Sequence, residues 1–308
     1  MTPLPELRLE EITSEDFPAI FRHADDSAVV HQKRFRRLVI TFSATASLTA
    51  LAGLMNQSPI QMAIVFSFTV LQLLATLINS AFGWNHRWYQ SRAIAESVKS
   101  LTWRYAVGGL PFPLTMNAAD ASESLSNAIL GILQTSLNNS PLIASKLPQN
   151  EDMSKIDNLR SSDLKTRSDA YIKFRLQEQE HWYARKAVTL RKNRNLLNGI
   201  AISSSVLAAI GSVTLLIKPE LFATSYITFL ASVAVGLISI GQSRNLGTDI
   251  SAYQLTHYEI KKILGIQPPQ EDGAWSYWVD DKEEVLSREH VMWLASRSSV
   301  AVIPKDER

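Results

Sequence analysis

From Leu38 to Asn85 the chain runs for 48 residues without an Asp, Glu, Lys, Arg or His. A hydrocarbon core about 30 Å thick takes roughly 20 apolar residues of helix to cross, so this run is long enough to cross twice. A polar turn, Asn56-Gln57-Ser58-Pro59, divides it. Proline there ends one helix and starts the next. The pattern predicts a helical hairpin with spans at 38–55 and 60–82. It recurs downstream: 195–217 and 221–243 are free of charge and are separated only by Lys218-Pro219-Glu220. This predicts a second hairpin with spans at 196–217 and 221–243. One buried hairpin in a large soluble protein is the alternative, and the recurrence argues against it.

The flanking charges set an orientation. His31 to Arg37 is basic and abuts the first span, Arg185 to Arg194 is basic and leads into the third, and Arg244 follows the fourth. Cationic flanks stay on the cytoplasmic side of a membrane helix. The N-terminus, middle and C-terminus are therefore expected inside, with only the two tight turns outside. The fold class expected is an all-α membrane protein, with four transmembrane helices as two hairpins and long cytosolic helical extensions. Residues 1–145 form the first hairpin unit, 146–160 a polar linker, and 161–308 the second unit.

Helix signals fill in the rest. Asp25-Asp26-Ser27 suit the start of the helix that becomes the first span. After the first hairpin, Arg92 and Glu96 are four apart and Glu96 and Lys99 three apart, so they share a helix face and can pair. Glu259 and Lys262 hold the equivalent places after the second hairpin. Asp169 to Asn195 reads as part of one long helix running toward the third span, with Lys192 to Asn195 as a place for a break. Asp280-Asp281 suits the start of a last helix, with Trp275, Tyr277 and Trp278 in a loop before it.

Catalytic chemistry is thin. The chain has no cysteine, which excludes disulfides, thiolate metal sites and a cysteine nucleophile. The six histidines show no ligand spacing. Gly108-Gly109 lacks the surroundings of a phosphate loop. No catalytic residue, metal or cofactor is expected, and no enzyme activity.

The spans are more informative. Gln61, Gln72 and Asn79 are separated by 11 and 7 residues, which places them within about 20° of one line along the second span. Amides in hydrocarbon are costly unless satisfied, so this stripe faces protein or water. Ser225, Thr228, Ser232 and Ser239 make a similar stripe in the fourth span. Either stripe lines a pore or packs against another helix. No charge lies within the spans, which argues against a proton-coupled pump or a voltage sensor.

Several segments resemble a known family. Arg92, Ala95, Glu96, Lys99, Trp103 and Tyr105 with Pro111-Phe112 resemble the post-membrane helix of the SLATT families. So does Arg175-Leu176-Gln177-Glu178-Gln179 with Trp182-Tyr183 and Lys186-Ala187. Arg288-Glu289-His290 with Trp293-Leu294-Ala295 is similar to the tail of a neighbouring group. The resemblance covers about 30 to 297 as two tandem units. It implies a bacterial inner-membrane effector of anti-phage or nucleotide-signalled defence, which oligomerises into an ion-conducting or membrane-disrupting pore. The implied partners are the lipid bilayer, further copies of the chain, and a nucleotide signal or signalling protein; no nucleic acid is expected. Many members carry one hairpin where this chain carries two. The competing class is a non-conducting membrane scaffold or sensor whose cytosolic helices recruit a partner.

The orientation is testable by labelling. Cysteines introduced at Ser58 and Pro219 should react with an impermeant reagent in intact cells, and one at Ser145 should not. Labelling at Ser145 would overturn the four-span topology.

Overall fold

The structure, a computed structural model, describes residues 11–137, 152–218 and 224–295, with backbone alone at 135–137 and 288–295. Pro219, Ser145, the first part of the expected linker and the first residues of the expected fourth span lie outside the described residues. The same holds for the side chains of the segment Arg288 to Ala295.

Among the described residues the chain is all helix, with no strand. The helices in order are α1 (Ala19–Ala52), α2 (Pro59–Phe82), α3 (Trp84–Val107), α4 (Ala118–Leu137), α5 (Ser154–Ser161) and α6 (Leu164–Ala170). A π-helical segment, Tyr171–Gln177, joins α6 to α7 (Glu178–Ile217); α8 (Thr224–Ser243), α9 (Leu246–Leu264) and α10 (Asp272–Ala295) follow.

The first hairpin turn forms for the reasons its sequence gives. Ser58 caps α2 by accepting from the Gln61 N–H at 3.2 Å, and Pro59 takes the first helical position, where its missing N–H costs nothing. Gly83 ends α2 in the left-handed conformation at φ 52°, which glycine adopts without a Cβ penalty.

Among the described residues three helical stretches are long and apolar enough to cross a membrane: Pro59–Val107, Leu164–Ile217 and Thr224–Leu264. The expected first span is not among them. The charge-free part of α1 is Leu38 to Ala52, 15 residues, or about 22 Å against about 30 Å of hydrocarbon. Thr41, Ser43, Thr45, Ser47 and Thr49 also dilute its apolar character. The hydroxyls of Thr45 and Thr49 donate back to carbonyls of their own helix, Thr41 O and Thr45 O, at 2.9 Å.

Two helix boundaries also differ from expectation. α1 starts at Ala19 rather than near Asp25, with the Pro18 carbonyl accepting from Phe21 N–H at 2.8 Å. Asp25 instead accepts from Arg92 at 3.0 Å. The last helix starts at Asp272, not after Asp280-Asp281, because the Glu271 carbonyl accepts from Trp275 N–H at 2.8 Å and Trp275 is fully buried.

The chain forms two compact units, and each draws on both halves of the sequence. One comprises Met1–Val30, His86–Ala184 and Gln254–Arg308; the other comprises His31–Asn85 and Arg185–Tyr253. The first has an aromatic core in which Tyr171 contacts Trp103, Trp275 and Trp278 at centroid separations of about 6 Å.

In the second unit α1 and α8 run antiparallel. Ser43 Oγ lies 3.4 Å from the Gly236 carbonyl. Ten residues further along α1 and eleven back along α8, Gly53 approaches Ser225. Elsewhere in this unit Leu190 of α7 packs with Leu246 and Ile250 of α9. Small residues let helices approach closely without a hydrophobic gain from lipid.

Gly236 is where that approach is tightest. A Cβ there would come within 3.3 Å of Ser43 Cβ. Gly236→Val should destabilise the protein in mild detergent by about 1–3 kcal/mol through overpacking. Gly199→Val, whose Cβ would meet nothing within 4 Å, is the control, and equal melting losses would refute the contact.

Candidate functional site

The first unit is built around the end of α3. A helix leaves its last four carbonyls unpaired. Here donors from three other helices take two of them, at Tyr105 and Val107, together with carbonyls just beyond. Arg160 of α5 donates to Tyr105 O at 2.8 Å, Phe112 O at 2.9 Å and Pro113 O at 3.1 Å. Arg167 of α6 donates to Val107 O at 3.0 Å, and the Trp275 indole N–H of α10 to the same oxygen at 2.7 Å. Ser276 Oγ donates to Gly108 O at 2.5 Å. Arg104 reaches Leu110 O and the Asp280 carboxylate. Cations also suit the negative end of the α3 dipole.

A cleft of about 660 Å³ opens beside this junction, lined by Tyr105, Met116, Asn117, Ser122, Asp157 and Arg160 among others. Tyr105 Oη donates to Asp157 at 2.7 Å, and the Arg160 guanidinium lies over the Tyr105 ring at 4.8 Å. Burial and the Asp157 carboxylate push the Tyr105 hydroxyl up to about 12, so it stays a donor at any working pH.

A second buried polar centre joins the π segment to α10. Glu283, 0% exposed, accepts from Arg175 Nε and Nη2 at 2.8 Å each and from Tyr171 Oη at 2.9 Å. Burial alone would raise the Glu283 pKa; the Arg175 charge and the bonds from Arg175, Ser100 and Tyr171 outweigh it and hold it low. Burial works against the Arg175 charge, and Glu283 more than offsets it, raising the Arg175 pKa. Lys99 stands near this pair, and burial, followed by the Arg175 charge, lowers its pKa.

The helix-face pairing expected in α3 is present in part: Arg92 pairs with both Glu96 and Asp25. Lys99 is drawn into the field of the buried pair. Lys262 is exposed and Glu259 half-buried, with no ion pair between them.

The polar positions of α2 divide. Gln61 Nε2 reaches back across the hairpin to Ala52 O at 3.5 Å. Gln72 is half-exposed and Asn79 exposed, and among the described residues neither side-chain amide has a hydrogen-bond partner. On α8, Thr228 and Ser232 donate to Thr224 O and Phe229 O of their own helix, at 3.1 and 2.7 Å. Ser225 lies on the α1 side, by Gly53, and Ser239 is half-buried.

Residues 18–168 match the family SLATT_3, described as SMODS and SLOG-associating 2TM effector domain 3. Residues 171–293 match SLATT_1, described as SMODS and SLOG-associating 2TM effector domain 1. The chain is two SLATT domains in tandem. No curated protein and no solved structure matches it.

The polar centres sort by domain. Arg175, Tyr171 and Glu283 belong to the second SLATT domain, and Arg160 and Arg167 with most of their acceptors to the first. Trp275 and Ser276 of the second domain donate to the first at Val107 and Gly108. The second match begins at Tyr171, the first residue of the π segment.

Sequence reasoning did not single out Arg160, Arg167 or Glu283. One signal was available: Arg160, Arg167 and Arg175 are spaced 7 and 8 apart, in phase with Ile156, Tyr171 and Phe174. A cation recurring on an apolar face marks a buried donor rather than a solvated one.

Removing one partner of a buried pair leaves an uncompensated charge, so Arg175→Met should cost about 3–5 kcal/mol. Adding Glu283→Gln should recover much of that loss, since an amide still accepts from Tyr171. Because the Glu283 pKa is held low in the fold, its contribution is present at neutral pH. It is lost as pH falls through the folded value. Chemical denaturation across neutral to acid pH reads both; a wild-type acid slope unchanged by Glu283→Gln would rule the pair out as its source.

Proposed function

We propose that this chain is a bacterial inner-membrane effector that oligomerises into an ion-conducting or membrane-disrupting pore during anti-phage or nucleotide-signalled defence. It crosses the bilayer four times as two hairpins, with N- and C-termini in the cytoplasm. No catalytic step is required of it.

Two-helix effector domains in tandem support the membrane role. The antiparallel contact of α1 with α8 supports α1 as the fourth crossing. Gly53, Leu54 and Met55 extend it to the turn, and α8, which it accompanies, is itself long and apolar enough to span.

The observation that carries the pore is the pair of amides on α2. Gln72 and Asn79 sit among exposed Leu71, Leu73, Leu74, Leu77 and Ile78, with no side-chain hydrogen-bond partner among the described residues. An unsatisfied amide in hydrocarbon costs several kcal/mol. A neighbouring copy or a water-filled lumen relieves that cost, and a ring of copies supplies both.

The competing reading, a non-conducting scaffold or sensor, draws support from the open cleft at Tyr105 and Arg160, which offers the polar helices a place to receive a partner. Ion flux through the purified chain in liposomes separates the two.

Substitutions place the stripe. If Gln72 and Asn79 line the lumen, Gln72→Leu adds apolar surface to a narrow passage. Conductance should then fall severalfold by dewetting, while the assembly persists. Asn79→Asp should shift the reversal potential toward cation selectivity. If the amides only bond a neighbouring helix, both variants should weaken assembly first. Unaltered current and selectivity in assembled variants would remove α2 from the pore and leave Ser225, Thr228, Ser232 and Ser239.

A further inference from the structure

The contact of α1 with α8 fixes more than a crossing. Ser43 and Gly236 meet seven residues from Arg36 and eight from Arg244. At 1.5 Å per residue these are steps of about 10.5 and 12 Å toward the same end of the antiparallel pair, so the two arginines arrive at one level. The backbone holds Arg244 there. α8 ends at Ser243, Asn245 turns the chain at φ 46°, and its carbonyl accepts from Asp249 N–H at 3.0 Å to open α9. Asparagine is among the few residues that take this conformation readily.

Neither the Arg36 nor the Arg244 side chain has an ion pair or hydrogen bond among the described residues. Burial and the Arg36 charge lower the Arg244 pKa, the signature of a half-buried cation beside a like charge with no counter-ion. The surroundings add to the imbalance. Stretches 31–37 and 185–194, with Arg244, carry ten Lys and Arg, and Asp249 is the sole acid in the described part of this unit. Leu190 of α7 packs with Leu246, two residues past Arg244, which brings Arg191 and Arg194 to the same end.

A helix contact that holds two guanidinium groups together leaves room for an anion. The place identifies which anion. Below Arg244 on the same side of α8 lie Ile240 and Leu237, four and seven residues back and half-exposed, and further round the helix Val235 is 64% and Ile238 45% exposed. That surface suits an acyl chain, and the arginines suit the phosphodiester above it. We propose that Arg36 and Arg244 form a binding site for the phosphate of an anionic phospholipid at the basic end of α1 and α8.

The proposal rests on the membrane reading, and the test keeps the two apart. Full-length protein in neutral detergent is melted alone, with phosphatidylglycerol, with phosphatidylcholine and with inorganic phosphate. Phosphatidylglycerol should raise the midpoint by several degrees and the others should not. Arg36→Gln/Arg244→Gln should melt higher than the wild type without lipid, since the repulsion is gone, and should lose the phosphatidylglycerol shift. Lys218→Gln, at the opposite end of its span, should keep the shift. Equal shifts from both lipids, a shift retained by the double variant, or inorganic phosphate reproducing it would each overturn the site. If the double variant does not fold, Arg36→Gln at its exposed position gives the same comparison. Alkaline extraction of the chain from native membranes reads the membrane claim separately: release would defeat that claim, and retention without lipid preference defeats this one alone.

Discussion

The end of α3 is the constraint on which the polar unit depends. Carbonyls at a helix terminus, and in the loop beyond it, are buried here where water does not reach, and a buried unpaired carbonyl costs about as much as a lost hydrogen bond. Arg160, Arg167, Trp275 and Ser276 come from α5, α6 and α10, and each finds its acceptor between Tyr105 and Pro113. The sequence distances spanned run from about 50 residues for Arg160 to 168 for Trp275. One short segment of backbone thus fixes where three remote helices sit.

The same logic explains why two tandem domains do not form two separate bodies. Each compact unit takes segments from both. A single two-helix domain would leave the α3 terminus short of the indole and hydroxyl of α10. It would also leave α1, with its serines and threonines, without α8 along its side. Buried ion pairs such as Arg175–Glu283 add little net stability over an apolar core. They do penalise any packing that separates their partners.

What the sequence made legible followed from long-range composition. Charge-free runs marked the long apolar helices, and α2 begins where Ser58-Pro59 places it. Local charge misled where tertiary contacts claimed it. Asp25 looked like a helix start because it has the right residue type, yet it serves Arg92. Asp280 looked like another and serves Arg104. Trp275 and Trp278 stood near two prolines and looked like loop, but burying an indole against Tyr171 outweighs that local signal. The polar stripe on α2 followed from helical periodicity alone. Its division, with Gln61 bonded across the turn and Gln72 and Asn79 left open, depends on where α1 ends.

The π segment Tyr171–Gln177 shifts the phase of the helix that follows it. A π turn holds one more residue than an α turn, so the chain beyond it lags by about 100°. Three α turns on from buried Tyr171, an unbroken helix would bury Trp182. The buried stripe instead continues at Tyr183, Ala187 and Leu190, and Trp182 is left half-exposed. The widened turn therefore decides which aromatic of the Trp182-Tyr183 pair enters the core, and deleting one residue within 171–177 would let an ordinary α-helix bring Tyr183 to the same buried place.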